Sequence, residues 1–240
     1  MAVFAVVSSK FSPALVYGFL LCICAIPSQG LAAADLPSLL AKAQGGDVDA
    51  QFDLAYAYDS GQGTARNEDE ALRWYLAAAQ KGHIEAMNSA GSILQVNKRF
   101  AEALLWYQQA ADKKHAQATN SLAYLYDLGL GVTQDRQKAF ALYMRAAELG
   151  WAEAMWNIAN MYGAGQLGAP ADLTIACVWA TRAIRFVDVD EERLRVYLVR
   201  HVVAMKRRLS AEQLAACSSQ APDWTPSQVS LRSDKSHRKP

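Results

Sequence analysis

The chain has 240 residues, 52% of them hydrophobic and 20% charged, with a net charge of +1. That composition is globular, and the length allows one compact domain plus its ends. A charge this near zero provides no electrostatic footing for nucleic acid.

Residues 1–34 read as a targeting segment. Lys10 is the only charge before an apolar run from Ala14 to Ile26. A run of that length is too short for a bilayer, which takes about 20 residues. Pro27, Ser28, Gln29 and Gly30 break it, and Ala32-Ala33-Ala34 then supplies a small-x-small cleavage signal before Asp35. The expectation is a cleaved signal peptide, a mature start at Asp35 and export, most simply to a bacterial periplasm. After cleavage no stable membrane insertion is expected. The alternative is a retained N-terminal anchor. Cys22 and Cys24 follow Leu21 and Ile23, whereas a lipid-modified cysteine wants a small residue before it.

Residues 35–48 hold a short helix, Leu36 to Gln44, that looks like the second half of a helical pair. It suits an N-terminal cap, because the end of a stacked array has no neighbour to cover its apolar face. Four similar units follow, at about 49–84, 85–116, 117–152 and 153–185. In the third, Ala118, Leu122 and Tyr126 share one helical face. Gly129 and Gly131 suit the positive φ of a helix end. Asp135 can cap a second helix carrying Ala139, Leu142, Tyr143, Ala146 and Ala147. The first unit repeats these offsets, from Ala50, Leu54 and Tyr58 to Ala78, Ala79 and Gly82. The second unit lacks Gly-x-Gly, and four residues are missing between its helices. Trp74, Tyr75, Trp106, Tyr107, Tyr143 and Trp179 recur at fixed offsets, which marks them as core rather than a ligand box.

Residues 186–220 read as C-terminal capping helices. Asp188, Asp190, Glu191 and Glu192 suit a helix start, and Lys206-Arg207-Arg208 suit its end. Ser210 and Gln213 form a capping-box signature for a last helix. Residues 221–240, rich in Pro and Ser and basic at the end, are expected to be disordered.

A period near 36 residues with two helices per copy is the mark of an α-solenoid. The motifs AxxxLAxxYxxGxG and AxxWYxxAAxxG, as they stand at Ala50–Gly82, resemble the Sel1-like repeat family, a tetratricopeptide-like group. The likeness covers roughly Leu36 to Ala183. It implies an all-α fold, a right-handed α-solenoid of helix-turn-helix repeats. It also implies a binding surface, since the family's repeats mostly hold partners of many kinds.

Motifs of catalysis are sparse. The chain has no phosphate loop, GxSxG elbow or HExxH, and its one SxxK match, Ser236 to Lys239, falls in the tail. His83 and His115 occupy matching inter-repeat positions, roughly 20 Å apart across two helix layers, too far to share a metal. His201 stands alone. Only Cys177 and Cys217 remain after cleavage, so no zinc cluster is expected, nor any cofactor.

Two function classes remain. One is an exported scaffold or adaptor that binds a protein, a peptide or a peptidoglycan fragment, in envelope assembly or regulation. The other is a hydrolase acting on β-lactams or cell-wall material, as described for cysteine-rich relatives. Those relatives carry a cysteine pair in every repeat, and this chain does not. Cys177 stands where Leu72, Leu104 and Phe140 stand in other repeats, so it reads as a small buried apolar residue. Alternatively it bonds Cys217 on the terminal helix, as a pair in an oxidising compartment tends to do. Closing that loop is worth roughly 4 kcal/mol on the chain-entropy model.

In stacked hairpins the first helices line the concave surface. Positions two and six after each repeat-starting Ala should face that groove: Phe52 and Tyr56, Asn88 and Ser92, Asn120 and Tyr124, Trp156 and Asn160. Amides can pair with a peptide backbone as donor and acceptor, and aromatic rings supply contact area. Phe52 and Trp156 could equally pack between repeats.

Overall fold

The computed structural model describes residues 36–226, apart from Ala169 and Val189. The expected signal segment and the SxxK match lie outside the described residues. Within them the chain forms helices and no strand.

The first helix is α1 (Leu36–Gln44). Four pairs follow: α2 (Val48–Ser60) with α3 (Glu68–Gln80), α4 (Ile84–Val96) with α5 (Phe100–Asp112), α6 (Ala116–Leu128) with α7 (Arg136–Glu148), and α8 (Ala152–Ala164) with α9 (Leu173–Phe186). α10 (Glu192–Lys206) and α11 (Ala211–Gln220) close the array. Each helix packs mainly on its neighbours in sequence, and α9 holds both α10 and α11. Such nearest-neighbour packing is what makes a solenoid quasi-one-dimensional.

Local chemistry sets the helix ends. The side chains of Asp47, Asn67, His83, His115, Asp135 and Asp172 each accept a backbone N–H in the first turn of the helix they precede. Each satisfies a donor that the helix itself cannot. Ser210 and Gln213 make a reciprocal capping box at α11. The expected start at Asp188 is late by one turn. Glu191 N–H bonds the Asp188 carbonyl at 3.0 Å, and that turn precedes α10.

The core is built from alanine and tyrosine. Ala71, Ala78, Ala103, Ala110, Ala139 and Ala146 are sealed from solvent. Small residues there let the helices approach closely. Tyr75, Tyr107 and Tyr143 fill the gaps between layers. Burial raises all three phenols above their ordinary pKa. Tyr75 hydrogen-bonds Ser89, and Tyr107 hydrogen-bonds Ser92 and Ser121, so each second helix is tied to the following first helix. Cations repeat this link elsewhere: Lys81 Nζ donates to the Gly46 carbonyl at 2.6 Å, and Arg145 to that of Ala111 at 2.6 Å.

The C-terminal boundary differs from expectation. Disorder from 221 onward does not describe residues 221–226, which pack on α9. Trp224 meets Trp179 edge-on at 5.3 Å and Phe186 at 5.9 Å. The Arg182 guanidinium lies near both indoles, at 4.8 and 5.4 Å. Arg185 donates to the Pro222 carbonyl at 2.8 Å. One indole removes enough apolar area from water to offset the ordering of a few residues. Composition averaged over a Pro- and Ser-rich tail conceals that single anchor.

Candidate partner-binding groove

The first helices α2, α4, α6 and α8 carry the candidate residues, held in register by the buried row of Ala50, Ala86, Ala118 and Ala154. Two positions further on, the row reads Phe52, Asn88, Asn120, Trp156. All four are half-buried, and each meets the following layer. Phe52 stacks on His83 at 4.4 Å between centroids and leans on Tyr75 at 5.6 Å. Asn88 Nδ2 donates to Gln117 Oε1 at 3.3 Å. Asn120 Oδ1 accepts from Asn157 Nδ2 at 3.0 Å. Trp156 packs edge-on against Tyr197 at 5.8 Å and His201 at 5.6 Å, both on α10. The row is a series of rungs between repeats. Phe52 and Trp156 therefore take the packing role that the sequence left open.

The row at six residues is Tyr56, Ser92, Tyr124 and Asn160. Ser92 hydrogen-bonds the Tyr107 hydroxyl, Tyr56 and Tyr124 are half-buried, and Asn160 is exposed. Periodicity missed four members of this surface: Gln117 and Asn157, which complete the amide rungs, and Tyr197 and His201, which extend the aromatic end onto the cap. Tyr197 and His201 are four apart on one helix, and the His201 ring Nδ1 lies 2.7 Å from the Tyr197 carbonyl. That spacing was readable as a pair, but not what it faced.

Charge is scarce along both rows. Asp53 adjoins them, its carboxyl pushed above the ordinary range by burial and then by Asp49. The other raised carboxyls, Asp59 and Asp127, lie at the far ends of α2 and α6. Burial lifts them, and Arg66 at 3.9 Å and Arg136 at 3.6 Å pull them back. An open depression of about 570 Å³ lies beside the α6–α7 loop, lined by Tyr126, Thr133, Asp135 and Lys138. There Lys138 lies over the Tyr126 ring at 4.0 Å and bonds its hydroxyl at 2.7 Å.

His83 and His115 are helix caps. Each Nδ1 accepts a backbone N–H, and each Nε2 points at a carboxylate of the preceding repeat, Asp49 at 3.9 Å and Glu85 at 3.8 Å. Among the described residues no group of three His, Cys, Asp or Glu side chains is placed to hold a metal ion. None of their helices is long and apolar enough to cross a membrane. Cys177 and Cys217 form a disulfide that ties α9 to α11, with Cα atoms 5.8 Å apart.

Stacked helical pairs carrying a polar and aromatic row define an α-solenoid of the repeat-scaffold class. The Sel1 repeat model matches residues 48–83, 87–115, 116–151 and 152–185, and the chain belongs to the Sel1 repeat family. Repeats of this family typically mediate protein interactions, and its members are generally scaffolds rather than enzymes. Among solved structures, c5321, a protective antigen of uropathogenic Escherichia coli with an SLR fold, superposes with a TM-score of 0.71 at 25% identity. The match covers 85% of this chain and 44% of that one. A Sel1 repeat protein from Oxalobacter formigenes superposes with a TM-score of 0.60 at 30% identity, over 68% of both chains. A 64-residue stretch is 36% identical to chitin synthase regulatory factor 3 of Schizosaccharomyces pombe, covering 27% of this chain and 7% of that protein. The chain thus spans less than half of the antigen and a small fraction of the regulatory factor.

Proposed function

We propose that this protein is an exported scaffold that holds an extended segment of a protein partner along the first-helix groove. The observation that carries the reading is the composition of that surface. Its rows are amides, hydroxyls and aromatic rings at one-repeat intervals, with almost no charge. Amides left with unused donors and acceptors can pair with a peptide backbone irrespective of its side chains. Tyr124 and Tyr197 supply rigid amphipathic area of the kind that dominates interface hot spots. The hydrolytic alternative would want a free nucleophile beside a base. The hydroxyls of Ser89, Ser92 and Ser121 instead bond tyrosines. Export rests on the apolar run and the Ala32-x-Ala34 signal. It accords with the disulfide, since such bonds persist in oxidising compartments.

The test is capture of a partner from an envelope extract by the processed chain, whose intact mass should lack residues 1–34. Asn160→Ala and Asn120→Ala should each weaken the captured complex by about tenfold, the scale of one good polar contact. Asn120→Ala should also lower stability by about 1 kcal/mol, because it removes the rung to Asn157. Asn160→Ala should leave the melting temperature unchanged. Equal binding by both variants would move the site to the loops or the opposite face. A mass that retains residues 1–34 would sink the cleavage claim.

A further inference from the structure

The two ends of the solenoid are finished differently. At the N-terminal end α1 presents Ser38, Ala41 and Lys42 to solvent. At the C-terminal end the inner side of α10 is Leu194, Leu198, Val202 and Met205, packed into the second core cluster. Its opposite side exposes Val196, Val199 and Val203, at 48%, 42% and 45% of their surface. Spacings of three and four put these valines on one stripe pointing away from the core. A terminal cap normally turns a polar face outward, whereas three aligned β-branched residues are what a further layer would cover. The stripe continues to Glu192, four residues before Val196, and to Lys206, three after Val203. Glu-Val-Val-Val-Lys at steps of four, three, four and three is a short heptad seam with opposite charges at its ends.

We infer that a second copy of this chain docks on this face, with the two α10 helices antiparallel about a two-fold axis near Val199. In that arrangement Val199 meets its own twin, Val196 meets Val203, and Glu192 of each copy approaches Lys206 of the other. A two-fold contact is self-complementary in this way. A parallel pairing would set Glu192 against Glu192 and Lys206 against Lys206, which costs affinity. The chain's own tail fits less well. Its cations Arg232, Lys235, Arg238 and Lys239 would approach Arg193, Arg200 and Arg207 beside the stripe. One helix face is small beside the ~1,600 Å² of a standard interface, so the dimer is weak, with a Kd in the micromolar range or above. It would present two first-helix grooves to one partner and raise avidity without new contacts. The inference stands independently of what the grooves bind.

Sedimentation velocity of the purified chain from about 1 to about 300 µM tests it, a window that brackets a weak dimer. The wild type should show a reversible monomer–dimer equilibrium. Val199→Glu should raise Kd at least about tenfold, since it places two carboxylates on the axis. Glu192→Lys should weaken association severalfold, and Glu192→Lys combined with Lys206→Glu should restore it. That restoration reads the contact even if Val199→Glu disturbs folding. A wild type that stays monomeric throughout would overturn the inference. So would a dimer indifferent to all of these changes. Pelleting with phosphatidylglycerol vesicles that depends on Val199 would overturn it too, and assign the stripe to an anionic lipid surface.

Discussion

Repeats one and three join their helices through seven residues, Gly61–Asn67 and Gly129–Asp135; repeat two uses three, Asn97–Arg99. The difference is the four residues missing from the sequence, and all of them come out of the loop. The helices of repeat two keep thirteen residues each. The long loops have a glycine with positive φ at the helix end, a side-chain cap at the next start, and a backbone bond back to the first helix. Asn67 N–H reaches the Tyr58 carbonyl and Asp135 N–H that of Tyr126, both at 2.9 Å. The short loop turns instead through Lys98 at φ 59° and starts α5 at Arg99 with no side-chain cap bond.

Shortening one loop changes its surroundings. The third repeat's loop lies on the start of α5, where a Cβ on Gly131 would come within 2.6 Å of Ala101 N and 2.7 Å of the Phe100 carbonyl carbon. Within repeat two, Gly91 stands where Ala55, Ala123 and Ala159 stand elsewhere. A Cβ there would lie 2.7 Å from the Tyr107 ring. A shorter link thus goes with closer approach at two places, and a glycine sits at each. A deletion in one repeat is accommodated by its neighbour as well as by itself.

The largest expected effect of breaking this arrangement is at Gly131. Gly131→Ala meets backbone, which cannot move aside, and it also sits at φ 70°. The expected loss is about 3 kcal/mol or more, read by urea denaturation. A loss below about 1 kcal/mol would show that the loop is not seated on α5. Gly91→Ala should cost about 1–3 kcal/mol, because an aromatic ring can shift where backbone cannot. Ala123→Gly, the reverse change in repeat three, should cost about 1 kcal/mol by helix propensity alone. If Gly91→Ala instead stabilises, as that propensity favours, the close contact with Tyr107 is refuted.

The smallest effect concerns the caps. Repeats two and three begin on histidines where α2 begins on Asp47. Burial lowers the His115 pKa below 6.5, and Glu85 only partly offsets it. The folded state therefore takes up a proton at lower pH than the unfolded chain. Stability present above pH 6.5 should decline as pH falls through 6.5 toward the folded value, then decline no further on this account. Protonation of Nδ1 would also remove the acceptor that caps Ala118 N–H. His115→Asn keeps a capping acceptor without titrating, so it should flatten the slope of stability between pH 7 and 5. An unchanged slope would place the acid sensitivity elsewhere.

The sequence by itself determined the helices, their pairing and their ends. Each depends on residues within one turn or one repeat: the 3.6-residue apolar stripe, the glycine with positive φ, the Asp, Asn or Ser cap. Recurrence then multiplied weak local signals into one register. Only the tertiary structure decided which of two open roles a side chain takes. Phe52 lies on His83, Asn120 on Asn157 and Trp156 on Tyr197, pairings 31 to 41 residues apart that depend on how the layers stack. Cys177 and Cys217 had a matching register but no known separation until α9 and α11 came within 5.8 Å. Trp224 had no repeat to place it at all. Its position follows from the bare indole of Trp179 at the end of the stack, an apolar surface that exists only once the helices have assembled.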